Sequence, residues 1–600
     1  MNHFSNGPST PSNQKKNSSS AVAITVVICI LLAVGAVLIS VLNPRADFDF
    51  IPSIIGPSKV HYADMEYERP DGEVIIKDMD ELIDLITVGK SFTEQSRVFT
   101  RINENIINYR TMMSLAEIRY YTDTSDDFYK EENELLRLEY VDIYDKTGEL
   151  LDVIEASTFK QNYERSFFGL GYFNDWIPMK RSEAAGELMT KEQKLISEYQ
   201  DAISNAFVTY EGREIRVPSE EFYALDVIDM DSVIALYRDK YNKELGELYA
   251  ELVKVRLALA EELGTDYISL AYDDLGRDFT PEQADTYIDG IVDGLLPNLS
   301  KYDADVSLLN ERADTLSSFY SLSLAASRMG GDVEEAFDYM VKYGLYELSA
   351  SDGKQGISFE TFLEKYYSPF MFVSSEGTAY DFITYAHEFG HFVDDYVNLG
   401  ASKTIDTAEI ASQALAYIAP FYSDGVNGID SDKLLKINLY STFELYSTTA
   451  FIHRFETAVY SLEPSEVTPE RLTELAKEAA LSVGMSEAEA ATMSVYWFEV
   501  QHLYIAPMYY VGYAISNDVA IQAIEAELNA PGKGGIEAFE RIIKRDPYKT
   551  FEENIVDAGF ESPFAEGRAE SLAEFIDGVF FPNATEKVEE STAESLPDAA

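Results

Sequence analysis

Apolar residues recur at mixed spacings of three and four, between charged positions, over Glu94–Tyr121, Phe128–Ile154, Glu187–Ala206 and Met230–Leu263. That period lines one face of a helix, so the pattern predicts long amphipathic helices and a mainly α body. Ala206–Val217 alternates around Glu211-Gly212 and is read as a small hairpin. Phe370–Ser374 reads as a strand. Helical period returns over Tyr380–Asn398, where Phe382, Ile383, Ala386, Phe389, Gly390 and Val393 recur at mixed threes and fours. Thr378 and Asp381 predict a capping box at its start, Asn398 and Gly400 its stop. Asp406–Ala414 reads as a further helix that ends before Pro420.

Both ends of the chain depart from this pattern. Residues 1–20 are Asn/Ser/Pro-rich and predict a disordered tail. Residues 21–42 are apolar throughout; as a helix they extend ~33 Å, enough for a hydrocarbon core of roughly 30 Å. The run is longer than the roughly 7–15 residues of a signal-peptide core and lacks a small-x-small cleavage site, so it predicts an uncleaved transmembrane anchor. Lys15 and Lys16 before it, against Arg45 after it, predict a cytoplasmic N-terminus and an extracytoplasmic body at the cell membrane. Residues 43–74 hold four prolines and predict an extended tether. No linker or repeat interrupts residues 75–575, which are expected to form one body. Residues 576–600 are expected to be a disordered acidic tail.

Charge narrows the partners. With 47 basic and 105 acidic residues the net charge is −58, which repels phosphate backbones and argues against nucleic acid as a partner. The single cysteine, Cys29, lies in the apolar run, so the body can form no intramolecular disulfide.

The chemistry is concentrated in His387-Glu388-Phe389-Gly390-His391. The chain has six histidines, and two of them frame a glutamate here. Residues four apart on a helix are about 40° apart around the axis, so both imidazoles face one way and a single zinc ion can join them. Glu388 lies beside that face, within reach of a water that the metal has acidified. Glu409, 18 positions after His391, is a candidate third ligand. It is equally the far half of a capping box opened by Asp406, and spacing leaves both readings standing. His453 lies in a helical pattern, while His3 and His61 fall in the tail and the tether.

Gly377–His391 followed by Ala408-Glu409-Ile410-Ala411-Ser412 resembles the thimet oligopeptidase and oligoendopeptidase F family of zinc peptidases, closer to the second branch. The resemblance continues over His502–Ala514 and, more weakly, at Asp266-Tyr267 and Arg277–Thr280. It implies a two-lobed helical body around a deep cleft, with a small β element beside the zinc helix. It also implies one zinc ion held by His387, His391 and Glu409, with Glu388 as the base and oligopeptides as substrates. His502, Tyr513 and Tyr510 map to positions that meet the substrate and the reaction's oxyanion. The alternative for these tyrosines is an aromatic core stripe. Family members pair substrate backbone with a strand edge, for which Phe370–Ser374 is the candidate; a plain core strand is the alternative. Asp394 stands where many members carry a further histidine. A membrane-anchored zinc metalloendopeptidase is therefore the leading expectation. An inactive peptide-binding protein on the same fold is the alternative, which the intact Glu388 disfavours.

Overall fold

The helices expected from the three-and-four spacing form in a computed structural model of the chain. It describes residues 56–581 apart from 174–181, 205, 218–221, 223, 224, 226, 303, 350, 352, 402 and 548. Helices α1 (Gly72–Thr87), α2 (Phe92–Thr122) and α3 (Asp127–Glu155) all pack on one another in a first lobe. Val98, Phe99, Ile102 and Ile106 of α2 meet Met79, Leu82, Leu136 and Ile143 there in a core of their own. Met112, Leu115 and Ile118, further along α2, face a second and larger core. One helix thus ties the two lobes together. Its start is set by a capping box in which Ser91 accepts from Glu94 N and Glu94 accepts from Ser91 N.

The second lobe follows through α4 (Glu183–Ser204), the hairpin β1 (Phe207–Tyr210) and β2 (Arg213–Arg216), and α5 (Val227–Leu263). After α6 (Thr315–Met329) and α7 (Gly331–Tyr343) comes a three-stranded sheet of β3 (Tyr346–Glu347), β4 (Ser358–Leu363) and β5 (Ser368–Val373), in the order β3-β5-β4. All six residues of β5 are buried, and α8 (Asp381–Asn398) packs on it. Beyond α8 lie α9 (Ile405–Tyr422), α10 (Ser431–Tyr460), the short α11 (Gln501–Ile505), α12 (Val511–Asn529), α13 (Gly534–Ile543) and a final α14 (Arg568–Phe580).

Several expectations are corrected. Among the described residues no helix is long and apolar enough to cross a membrane, which overturns the single-pass anchor and the extracytoplasmic placement of the body. The run at 21–42 itself lies outside the described residues. The second half of the expected tether belongs to the body: the Tyr62 ring lies 4.4 Å from that of Phe370, Met65 is buried, and Ser58 N donates to Tyr366 O. These apolar side chains find a surface to bury, so the segment is ordered despite its prolines. His61, placed with the tether, folds over Gly344. At the other end α14 runs to Phe580, because Leu572 and Ile576 are buried, so the disordered tail cannot begin at 576.

Helix α9 also passes Pro420 instead of stopping before it. A proline removes the bond to the carbonyl four residues back, here Ala416 O. The Asn438 side-chain amide donates to that carbonyl at 3.1 Å, which replaces the lost partner and lets the helix finish its turn.

Candidate active site

Two glycines allow three helices to close on one another. A Cβ on Gly390 of α8 would lie 2.6 Å from Ser412 Cα and 2.7 Å from Ala411 O of α9. One on Gly512 of α12 would lie 2.2 Å from Asp406 Oδ1, also of α9. At Gly390 only glycine permits backbones this near, and at Gly512 a side chain would collide with the Asp406 carboxylate. The glycine inside the histidine motif is therefore the contact that brings α9, and Glu409 with it, against the two imidazoles.

There the three side chains converge. Glu409 Oε2 lies 3.5 Å from His387 Nε2 and 3.7 Å from His391 Nε2. Ligand atoms from all three residues lie within 4.8 Å of one another. Two donors bound tetrahedrally to one zinc at ~2.0–2.1 Å sit ~3.4 Å apart, so the gap has the size of an ion. The chemistry of the donor set agrees. His391 Nε2 is buried without a hydrogen-bond partner, as is Glu388 Oε2. Burial lowers the His387 pKa to about 4, and burial with the neighbouring His387 takes His391 well below its usual value, so both rings are neutral. Burial raises Glu409 to about 7, while burial and then Glu409 push Glu388 well above its usual range. Two carboxyls and two neutral imidazoles packed without a cation are costly, and a divalent ion among them reverses that cost. The residues fit a metal.

Glu409 is oriented by more than the imidazoles. Tyr509 Oη donates to its Oε1 at 2.8 Å and Ser412 Oγ to its Oε2 at 3.0 Å. The capping alternative falls away, since Thr404 caps α9 by accepting from Thr407 N, and Asp406 points elsewhere. The capping box expected on α8 is absent too: Thr378 Oγ1 has no partner, and the Asp381 carboxylate accepts from Glu376 N and Gly377 N of the preceding loop.

Asp406 pairs with Arg277, whose Nε lies 3.0 Å from its Oδ2, both side chains having no exposed surface. The same guanidinium donates to the carbonyls of Met508 and Tyr509. Met508 stands at φ +63, a left-handed conformation costly to a side-chain-bearing residue, and its N–H donates to Glu456 Oε1 at 2.7 Å. Arg277 and Glu456 thus hold from both sides the bend that presents the tyrosines. His502 Nε2 and Tyr513 Oη lie 3.3 Å apart, and the Tyr510 ring lies 5.4 Å from that of Tyr513. Tyr510 and Tyr513 line the same cavity as His387, whereas His502 reaches it through Tyr513.

Asp394, in the place of the family's further histidine, binds Lys403 at 2.7 Å and also pairs with Arg545, which anchors the end of α8. His453 binds Asp285 at 2.7 Å and does not line the cavity beside His387. As for the strand, β5 is the inner one, paired along its length with β4 and at Met371 and Phe372 with β3; β3 and β4 are the outer strands. Sequence reasoning missed the roles of Tyr509, Arg277 and Lys403. Tyr509 and Arg277 carried a signal only as members of the resembling segments His502–Ala514 and Arg277–Thr280.

Comparison with known proteins follows the same lines. Residues 62–176 match the family model described as the Peptidase M3 N-terminal domain. No curated protein matches the chain. A solved structure assigned as oligoendopeptidase F superposes with a TM-score of 0.76 at 24% identity, covering 86% of this chain and 98% of the other. PZ peptidase A, solved with an inhibitor, gives 0.75 at 20% identity over 86% and 98%. A structure from Bacillus anthracis str. Ames, also assigned as oligoendopeptidase F, gives 0.72 at 22% over 88% and 100%. The chain thus matches the Peptidase M3 N-terminal domain over residues 62–176 and shares the fold of the structures assigned as oligoendopeptidase F.

Proposed function

We propose that the protein is a zinc metalloendopeptidase that hydrolyses short peptides. The observation that carries this reading is the convergence of His387, His391 and Glu409 beside the buried, unpartnered carboxyl of Glu388. The peptidases that share its fold support it. His387, His391 and Glu409 would hold the zinc, and Tyr509 and Ser412 keep the Glu409 carboxylate in place for it. When bound, the ion supplies Lewis acidity to water and the scissile carbonyl.

Glu388 takes the proton of the attacking water and passes it to the departing amine. Tyr513, with Tyr510 beside it, donates to the oxygen that gains negative charge as the carbonyl becomes tetrahedral, and His502 bears on that oxygen through its contact with Tyr513 Oη. The outer edge of β4 offers backbone groups to an extended peptide.

Glu388→Gln tests the reading. It keeps the shape and removes the base, so zinc and fold should remain while peptide hydrolysis falls by several orders of magnitude. Wild-type-like turnover in this variant would rule the mechanism out. No turnover by either protein across a broad peptide library would leave a peptide-binding protein.

A further inference from the structure

A cavity of about 100 Å³ opens beside His387, between α8, α9, α10 and α12. Ile383, Ala416 and Leu445 give it an apolar wall, and three carboxamides, Gln413, Asn438 and Asn517, share the remaining wall with His387 and with serine, threonine and tyrosine side chains. Their position follows from helical geometry. Ile383 lies one turn before His387, Gln413 one turn after Glu409, and Asn517 one turn after Tyr513, so the cavity is a level adjoining the candidate metal centre.

Each carboxamide spends one N–H on an acceptor inside the protein. Gln413 Nε2 donates to Tyr513 O at 3.3 Å, Asn438 Nδ2 to Ala416 O at 3.1 Å, and Asn517 Nδ2 to Tyr417 Oη at 2.7 Å. The Tyr513 carbonyl can only accept, which turns the Gln413 amide nitrogen towards it and leaves the oxygen opposite. Gln413 Oε1 and Asn517 Oδ1 are buried without partners, on residues 6% and 2% exposed. A buried acceptor without a donor is costly, and a ligand that brings one recovers the loss. No Asp, Glu, Lys or Arg is among the described residues that line the cavity, so a cationic group entering it would be buried without a counter-ion.

We infer that this cavity is a specificity subsite for an uncharged, hydrogen-bond-donating side chain next to the scissile bond, of the size and chemistry of glutamine or asparagine. Gln413 and Asn517 select it by accepting from its N–H groups, and Ile383, Ala416 and Leu445 pack its stem. This inference rests on the peptidase reading for the position of the scissile bond, but it can be tested without turnover.

The test is competition binding to the zinc-loaded Glu388→Gln protein. It uses peptides that differ only in one residue flanking the scissile position, set to Gln, Leu, Glu or Lys. The Gln peptide should bind at least about tenfold more tightly than the Leu peptide, the effect of one donor satisfied. It should exceed the Lys peptide by at least about a hundredfold. Gln413→Met should bring the Gln-to-Leu ratio towards one. Asn517→Asp, which keeps the size of the wall and makes it anionic, should move the preference from Gln towards Lys. Equal binding of the Gln and Leu peptides would mean that the cavity is only water-filled and would overturn the inference. So would a ratio that survives both substitutions. Wild-type cleavage of the same peptides is scored separately. Selective binding without cleavage removes the peptidase reading and leaves the subsite; cleavage indifferent to this residue does the reverse.

Discussion

The α1–α3 lobe and the α8–α9–α12 layer are both helical, yet they are held together differently. At the centre of the first lobe apolar side chains such as Met79, Leu82, Ile102 and Leu136 meet, and its ion pairs are mostly at the rim. Lys77–Glu73 has side chains 71% and 84% exposed; Glu117–Arg137 is the more buried exception. In the second region charge goes inside. Arg277–Asp406 has no exposed side-chain surface, and Asp394–Arg545 and Asp518–Arg568 are nearly as enclosed. An apolar core rewards any arrangement that excludes water. A buried pair is satisfied by one arrangement only, and near the candidate site that arrangement sets where Glu409 and the tyrosines stand.

The comparison is broken most severely at Arg277. Arg277→Leu leaves Asp406 buried without its partner, a loss of about 3–5 kcal/mol, and releases the Met508 bend. Chemical denaturation should show that loss, with peptide hydrolysis falling well beyond it. Adding Asp406→Leu should recover stability but not hydrolysis, because the bend at Met508 remains loose. Stability and hydrolysis recovering together would reduce Arg277 to a packing residue.

The first lobe should separate the two properties. Ile102 is fully buried, and Ile102→Ala should cost about 2–5 kcal/mol. Its zinc content and kcat, measured below the melting range, should stay near wild type. A large fall in kcat would mean that the lobes are coupled more tightly than their separate cores suggest.

Tyr513→Phe should act on rate alone, lowering kcat about a hundredfold through loss of one donor to the oxyanion, with Tm nearly unchanged. His502, 3.3 Å away, should then lose much of its own effect when removed second, since the two act through one contact. A fall in Tm with kcat spared would make this hydroxyl a structural bond.

How much of this was legible in the chain follows the same division. Three-and-four periodicity gave α2 and α3 to within a few residues, because apolar faces hold them, while the bounds of α1 were not marked. The paired imidazoles were legible because a spacing of four is itself geometry. Glu409 stayed ambiguous between ligand and cap until the crossing at Gly390 was visible, although the glycine stood in the motif throughout. Arg277 was beyond reach of any local pattern, since its partners lie 129 to 232 positions away. Pro420 misled for a related reason: the group that replaces its missing donor belongs to Asn438, on another helix. The prolines before residue 70 suggested a tether, while the contact that orders the segment is made by Tyr62 on a distant strand.

The most direct test of the central claim is metal content, by atomic absorption after incubation with zinc and removal of the excess. The account predicts about one zinc per chain in the wild type and in Glu388→Gln, and little in Glu409→Ala. A wild type that binds none, or a Glu409→Ala variant that keeps its zinc, would contradict it.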